Sequence, residues 1–167
     1  MHSLPHSRTG VVRGPDAVPL MQHPLGALQL AGHADTGGAA AFVVHDLTPR
    51  SLGSPVHTHT REDEWSYVLS GAVGVQIGDE TFTAAPGDLV LKPRNVPHAF
   101  WNPADEPARL LEVITPGGFE NYFAELGAAL AGGLDPARVV AIAERFGLVL
   151  DPGSIPQLAR THGLVLS

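Results

Sequence analysis

Between residues 26 and 115 the chain consists of short apolar runs separated by glycine, proline and aspartate, and this punctuation restricts its fold more than any other feature. The clearest example is Val73–Ile77, in which valine and isoleucine alternate with small or polar residues. Gly78-Asp79 and then Glu80–Ala84 follow, so the spacing predicts a β-hairpin. None of the runs has the length and period of a helix that would link parallel strands. The pattern therefore predicts an all-β sandwich or barrel.

The same punctuation predicts further strands in this region. They lie at Ala39–Leu47, Trp65–Leu69, Asp88–Lys92, His98–Trp101 and Arg109–Ile114. Because side chains alternate between the two faces of a strand, we expect Trp65 and Tyr67 to point away from the face that Glu64 occupies. Glu62 and Asp63 precede this strand, and we expect both to be solvated turn residues.

After Pro116 the apolar residues recur at helical rather than strand spacing. The first stripe consists of Phe119, Tyr122, Phe123, Leu126 and Leu130. Gly132-Gly133 ends this helix, and Asp135-Pro136 predicts the start of a second one, since aspartate caps free N–H groups and proline suits the first turn. A short third helix is predicted from about Ser154 to His162. We expect these helices to pack on the β-domain and not to bind a cofactor.

These patterns divide the chain into three parts. We predict an extended N-terminal arm at residues 1–25, a β-barrel at 26–115 and a helical extension packed on the barrel at 116–167. The arm is predicted from its prolines and scattered polar residues.

The charge and cysteine content exclude several classes of protein. The chain has a net charge of −7 and a single lysine, Lys92, so it offers no basic cluster for a nucleic acid or an anionic membrane. It contains no cysteine, which rules out disulfides, thiolate metal sites and cysteine nucleophiles. No apolar run reaches the roughly 18 residues of a membrane span, and the N-terminus lacks the pattern of a signal peptide. We therefore expect a cytoplasmic protein.

The histidines provide the strongest indication of chemistry. His57 and His59 are two residues apart, so on a strand they face the same side, and Glu64 and His98 follow downstream. Three neutral imidazoles and one carboxylate suit a divalent first-row transition metal. Four protein ligands leave two positions of an octahedral ion open, and a dication with one carboxylate retains a charge of about +1, which favours an anionic substrate.

The spacing of these residues resembles the two metal-binding motifs of the cupin superfamily. The first motif runs from His57-x-His59 through Glu64 to Gly71, and the second from Gly87 through Pro93 and His98 to Asn102. Asn95 stands where a glycine is usual, and asparagine tolerates the positive φ that this turn requires. The second motif's Asn102 is expected to hold a turn.

The resemblance implies a small jelly-roll β-barrel, with His57, His59, Glu64 and His98 as ligands of one metal ion near one mouth. Fe(II) is the favoured ion, with Mn, Ni, Cu or Zn as alternatives. The chain also resembles the small single-domain cupins described as quercetin-dioxygenase-like. Many small cupins dimerise, so the resemblance further implies a homodimer.

Three functions remain open at this point. The leading hypothesis is a metal-dependent oxygenase that acts on a small enolic or phenolic molecule, with Glu64 also acting as a catalytic base. The second is a non-oxidative isomerase, cyclase or decarboxylase, in which the metal acts as a Lewis acid. The third is a non-catalytic module that binds or senses a small molecule.

Overall fold

Two antiparallel β-sheets face each other in the computed structural model, which describes residues 10–133 and 135–166. The strands are β1 (Val18–Met21), β2 (Ala27–Ala31), β3 (Ala41–Leu47), β4 (Leu52–His59), β5 (Asp63–Ser70), β6 (Val73–Ile77), β7 (Glu80–Ala84), β8 (Leu89–Lys92), β9 (His98–Trp101), β10 (Ala108–Thr115) and β11 (Leu148–Asp151). One sheet has the order β1-β2-β3-β10-β5-β8, and the other has the order β11-β4-β9-β6-β7. Consecutive strands often lie in different sheets, as a jelly roll requires. The predicted all-β jelly-roll fold is confirmed.

The predicted strands agree with the observed ones because turn residues mark their ends. β6, β7 and β9 have the predicted bounds, β3 and β8 begin two residues and one residue later than predicted, and β5 and β10 extend one or two residues beyond the prediction at both ends. The predicted hairpin is present, with Ile77 paired to Glu80 across Gly78, whose φ of 56° is readily adopted only by glycine. The side chain of Asn102 holds the turn after β9, where its amide donates to the carbonyls of Thr48 at 3.0 Å and Glu106 at 2.8 Å.

Four helices accompany the sheets within the described residues. They are α1 (His33–Thr36), α2 (Glu120–Ala131), α3 (Pro136–Arg145) and α4 (Ser154–His162). α3 begins as predicted, since the Asp135 carboxylate accepts hydrogen bonds from the backbone N–H groups of Ala137 and Arg138. In the described part of the chain, no helix is both long and apolar enough to cross a bilayer.

Several elements were not predicted. β11 follows Gly147 and pairs with β4, so that Leu150 lies opposite His57. Its four residues, Leu-Val-Leu-Asp, are too few to show a strand period. β1 lies within the segment predicted as an extended arm and pairs with β2, whereas residues 1–9 of that segment lie outside the described residues. The division into arm, barrel and extension stays a prediction.

The inner faces of the two sheets form the main core, which also receives α2 and α3. On β10, for example, Ala108, Leu110 and Ile114 point inward and are buried, and Glu112 shares their face. Because alternation fixes which residues point inward, a charged residue at such a position must be buried together with its neighbours. The polar residues of the interior are therefore placed by strand register.

A smaller apolar cluster joins α4 to the second sheet around Trp101. The Trp101 ring is buried and stacks on His162 of α4 at a centroid distance of 4.0 Å. Gly74 lies opposite Trp101 on the neighbouring strand, and a Cβ at Gly74 would lie 2.1 Å from the indole Nε1. Only glycine leaves room for the indole ring in this register.

Replacing Gly74 by alanine is therefore expected to lower the free energy of unfolding. The added methyl group must displace a buried indole, and overpacking of this kind costs about 1–3 kcal/mol. Chemical denaturation would measure the difference. Gly132→Ala is the matched control, since its added Cβ would lie an ordinary 3.5 Å from the carbonyl oxygen of Ala129. Equal stabilities of the two variants would contradict this account of the Trp101 cluster.

Candidate metal centre

The four residues predicted as ligands come together inside the barrel. His57 and His59 lie on β4, His98 begins β9 and Glu64 lies near the start of β5 in the facing sheet. All four are buried, and one ligand atom from each lies within 4.8 Å of the others. The cluster is a set of donors that could hold one metal ion.

Local structure explains how residues up to 41 positions apart in the sequence converge. Alternation along β4 turns His57 and His59 to the interior, and the register of β4 with β9 sets His57 opposite His98. The turn before β9 contains Asn95 at a φ of 64°, as expected from the sequence. The backbone N–H of Asn95 donates to the carbonyl of His59 at 2.8 Å, which ties this turn to the end of β4.

Backbone carbonyls orient two of the imidazoles. Nδ1 of His57 lies 2.9 Å from the carbonyl oxygen of Pro55, and Nδ1 of His98 lies 3.0 Å from that of Val96. A carbonyl oxygen can only accept a hydrogen bond, so each Nδ1 carries the proton when the ring is neutral. The lone pair is then on Nε2, the atom available to a metal.

His59 shows most directly that the cluster fits a cation. Its Nε2 lies 3.2 Å from Oε1 of Glu64, and its Nδ1 lies 3.4 Å from Oε2 of Glu62. Among the described residues neither ring nitrogen finds a partner with hydrogen-bond geometry, although both are buried. Buried polar atoms without partners are rare and costly. A divalent cation between the three imidazoles and Glu64 would satisfy Nε2, so the residues present fit a metal.

Glu62 corrects an expectation from the sequence. We expected a solvated turn residue, but the side chain is buried against His59. Carboxylates in this position commonly orient a metal-binding imidazole and raise its basicity. Asp63 is more exposed than Glu62, and its carboxylate binds the guanidinium of Arg94 at 2.7 Å. The sequence did not distinguish the two residues, because the burial and contacts of adjacent acidic side chains depend on residues that come close only in the folded chain.

A second charged pair lies beside Glu64 and was not predicted as part of the site. The ammonium Nζ of Lys92 lies 3.1 Å from Oε2 of Glu64 and 2.8 Å from Oε2 of Glu112. The Ser66 hydroxyl donates to the Glu112 carboxylate at 3.0 Å. Both Lys92 and Glu112 sit at inward positions of strands whose other inward residues are apolar. That anomaly was visible in the sequence, but the pairing required the fold.

The charges of the cluster oppose the effects of burial. Burial, followed by repulsion from His98 and His59, holds the pKa of His57 well below its usual range, and burial also lowers the pKa of His98. Burial would lower the pKa of His59 too, but the charge of Glu64 and the nearby Glu62 raise it to about 9. Burial would raise the pKa of Glu64, yet His59 and Lys92 keep that pKa well below its ordinary value. At neutral pH a cation must therefore displace a proton from His59.

An aromatic cap from the helical extension covers the cluster. It consists of Phe119, Tyr122, Phe123 and Phe146. The Phe119 ring meets the His59 ring edge to face at a centroid distance of 4.4 Å. The sequence indicated core packing for this stripe, and the structure adds that its first residue reaches a candidate ligand.

Glu120 fixes the position of the cap. Its carboxylate is buried and accepts hydrogen bonds from the backbone N–H of His33 at 2.7 Å and of Gly118 at 2.6 Å. The imidazole Nδ1 of His33 lies 2.9 Å from the same carboxylate. These contacts tie the start of α2 to α1, so Phe119 is held over His59.

Comparison with known proteins agrees with this site. The family model for the cupin domain matches residues 43–114, a range that contains all four candidate ligands. A search of curated proteins found no match.

Solved structures share the fold. A predicted oxalate decarboxylase from Thermotoga maritima is 21% identical, with a TM-score of 0.57 over 64% of this chain and 99% of that chain. The TT1209 protein from Thermus thermophilus is 26% identical, with a TM-score of 0.52 over 59% and 90% of the two chains. The cupin domain of Schizosaccharomyces pombe Cnp3 is 21% identical, with a TM-score of 0.52 over 62% and 68%.

Glu62→Gln is expected to weaken metal binding about 10- to 100-fold, because the amide removes the charge that supports His59 as a donor. The dissociation constant for Co²⁺, measured by competition with a chelating dye, would show the effect. Asp63→Asn removes the same charge from the neighbouring residue and should change the affinity little. Equal losses in both variants would indicate a general charge effect and contradict the role of Glu62.

Proposed function

We propose that this chain, which belongs to the cupin superfamily through its domain at residues 43–114, is a metal-dependent enzyme of the dioxygenase type. Its substrate is a small enolic or phenolic molecule. The observation that carries the proposal is the buried cluster of His57, His59, Glu64 and His98, in which Nε2 of His59 lacks a hydrogen-bond partner among the described residues. A divalent first-row ion, with Fe(II) favoured, would supply Lewis acidity and a route for electrons between dioxygen and the substrate.

The charges of the chain favour an anionic substrate. Glu64 offsets one positive charge of a dication, and Lys92 and Glu112 offset each other. The ion and its four ligands would thus carry a net charge of about +1, and an enolate or phenolate that binds the ion directly meets this charge before that of Glu62, which lies on the Nδ1 side of His59. Because the surroundings are buried, this attraction is stronger than it would be in water.

The aromatic cap gives the candidate centre a dry environment. Phe119 covers the His59 ring, and the Tyr122 ring stacks on Phe119 at a centroid distance of 4.9 Å. These rings are buried and packed on one another, so they keep water away from the His59 side of the cluster. Exclusion of water also protects a reactive substrate anion from side reactions.

Glu64 is proposed to accept the proton that the substrate loses. It is the anionic member of the ligand set, and its low pKa keeps it ionised and ready to accept. That same low pKa makes it a weak base, so the transfer requires a substrate hydroxyl acidified by the centre. The proton then resides on a carboxylate oxygen next to the substrate.

The first experiment is elemental analysis of the untagged protein and of His57→Ala/His59→Ala. We expect about one equivalent of a transition metal in the wild type and none in the double variant, since two of four donors are lost. His23→Ala, which removes an exposed histidine outside the cluster, is the control and should retain the metal. Equal metal content in all three proteins, or none after reconstitution with Fe(II), would overturn the metal centre.

The iron-loaded protein is then tested with a panel of enols, enediols and phenols in an oxygen electrode. The proposal expects oxygen consumption coupled to loss of substrate. Turnover under strict anaerobiosis would instead favour a Lewis-acid isomerase, cyclase or decarboxylase, and retention of an unchanged ligand would favour a binding module. Glu64→Gln should turn over more slowly; metal retention with full turnover would disprove its role as a base.

A further inference from the structure

The lysine beside the cluster has no explanation in the fold alone. Lys92 is the single lysine of the chain and is almost fully buried. It lies at an inward position of β8, with its ammonium group between the carboxylates of Glu64 and Glu112 and 5.0 Å from the centroid of the Phe100 ring. Lysine is among the residues least often fully buried, because its charge must leave water.

Stability does not account for this pair. Replacing a buried ion pair by apolar residues of similar volume is often neutral or stabilising. Val90 and Ile114, which share the inner faces of the same strands, show that apolar side chains suit this interior. We therefore expect the pair to have a role in the adjoining cluster.

The contacts of Glu64 indicate what that role is. Its Oε2 is bound by Lys92 at 3.1 Å, whereas Oε1 faces Nε2 of His59 at 3.2 Å. Lys92 thus engages the oxygen that Nε2 of His98 also faces at 3.3 Å, and it leaves the other oxygen toward His59. Glu112, held by Ser66, keeps the ammonium group in place and offsets its charge.

We infer that Lys92 and Glu112 are positioning residues that set how Glu64 is presented to a cation and how tightly the cation is held. The inference rests on the metal centre of the proposed function and not on its oxygen chemistry. Lys92 competes with the cation for Glu64 and repels it, whereas Glu112 weakens that repulsion. The two residues therefore have opposite effects on metal affinity although they form one pair.

Substitutions at the two positions test whether Lys92 and Glu112 change the metal affinity in opposite directions. Lys92→Met removes the competitor and should tighten binding of Co²⁺ by about tenfold or more, whereas Glu112→Gln leaves the ammonium unbalanced and should weaken it by a similar factor. In the K92M background, E112Q should have little further effect, because Glu112 acts through Lys92. A dye-competition assay gives the dissociation constants.

The visible spectrum of bound Co²⁺ provides a second readout. It should change in K92M, where Oε2 of Glu64 loses its ammonium partner, and stay close to wild type in E112Q. A purely structural role predicts weaker binding in both single variants, which would overturn the inference, as would an unchanged affinity and spectrum in K92M. Chemical denaturation shows whether a single variant has failed to fold. In that case the double variant, which buries no charge at either position, is compared with the wild type in Co²⁺ affinity and spectrum. Failure of the wild type to bind Co²⁺ would overturn the proposed function together with this inference.

Discussion

The buried carboxylate of Glu64 is the group on which the organisation of the interior depends. It lies near three imidazoles and an ammonium group, with His59, His98 and Lys92 all within 3.3 Å of its oxygens. A charge in such surroundings is tolerated only when it is paired, because desolvation costs more than a single contact returns. The polar residues around Glu64 thus together compensate the cost of burying its charge.

The partners of Glu64 are themselves held by further contacts. The Glu62 carboxylate contacts His59, and the Glu112 carboxylate binds Lys92. Backbone carbonyls contact the imidazoles of His57 and His98. Further out, Glu120 fixes the start of α2 so that an aromatic ring closes the His59 side of the cluster. The outer residues thus restrict the rotamers of the side chains that they contact, down to the candidate ligands. Such restriction gives a metal centre its selectivity and geometry.

The strands could be predicted because their signals are local, whereas the jelly-roll topology and the four candidate ligands were implied by the resemblance of two motifs to those of the cupins. Turn residues marked β6, β7 and β9 without error, and the spacing of His57 and His59 placed them on one face of a strand. Glu62, Lys92 and Glu112 escaped prediction because their roles depend on partners in other strands or in the same turn. β11 escaped because four residues carry too little periodicity, although it borders the strand that bears His57 and His59.

The sequence by itself therefore determined several strands and their inward positions, because alternation and turn chemistry act between near neighbours, and its resemblance to the cupin motifs singled out four candidate donor side chains. Tertiary structure alone decided which carboxylate backs His59, that Lys92 bridges Glu64 and Glu112, and that Phe119 covers the cluster. These contacts join residues on different strands and helices or across a turn. Their distances follow from sheet register and packing, which no short stretch of sequence encodes.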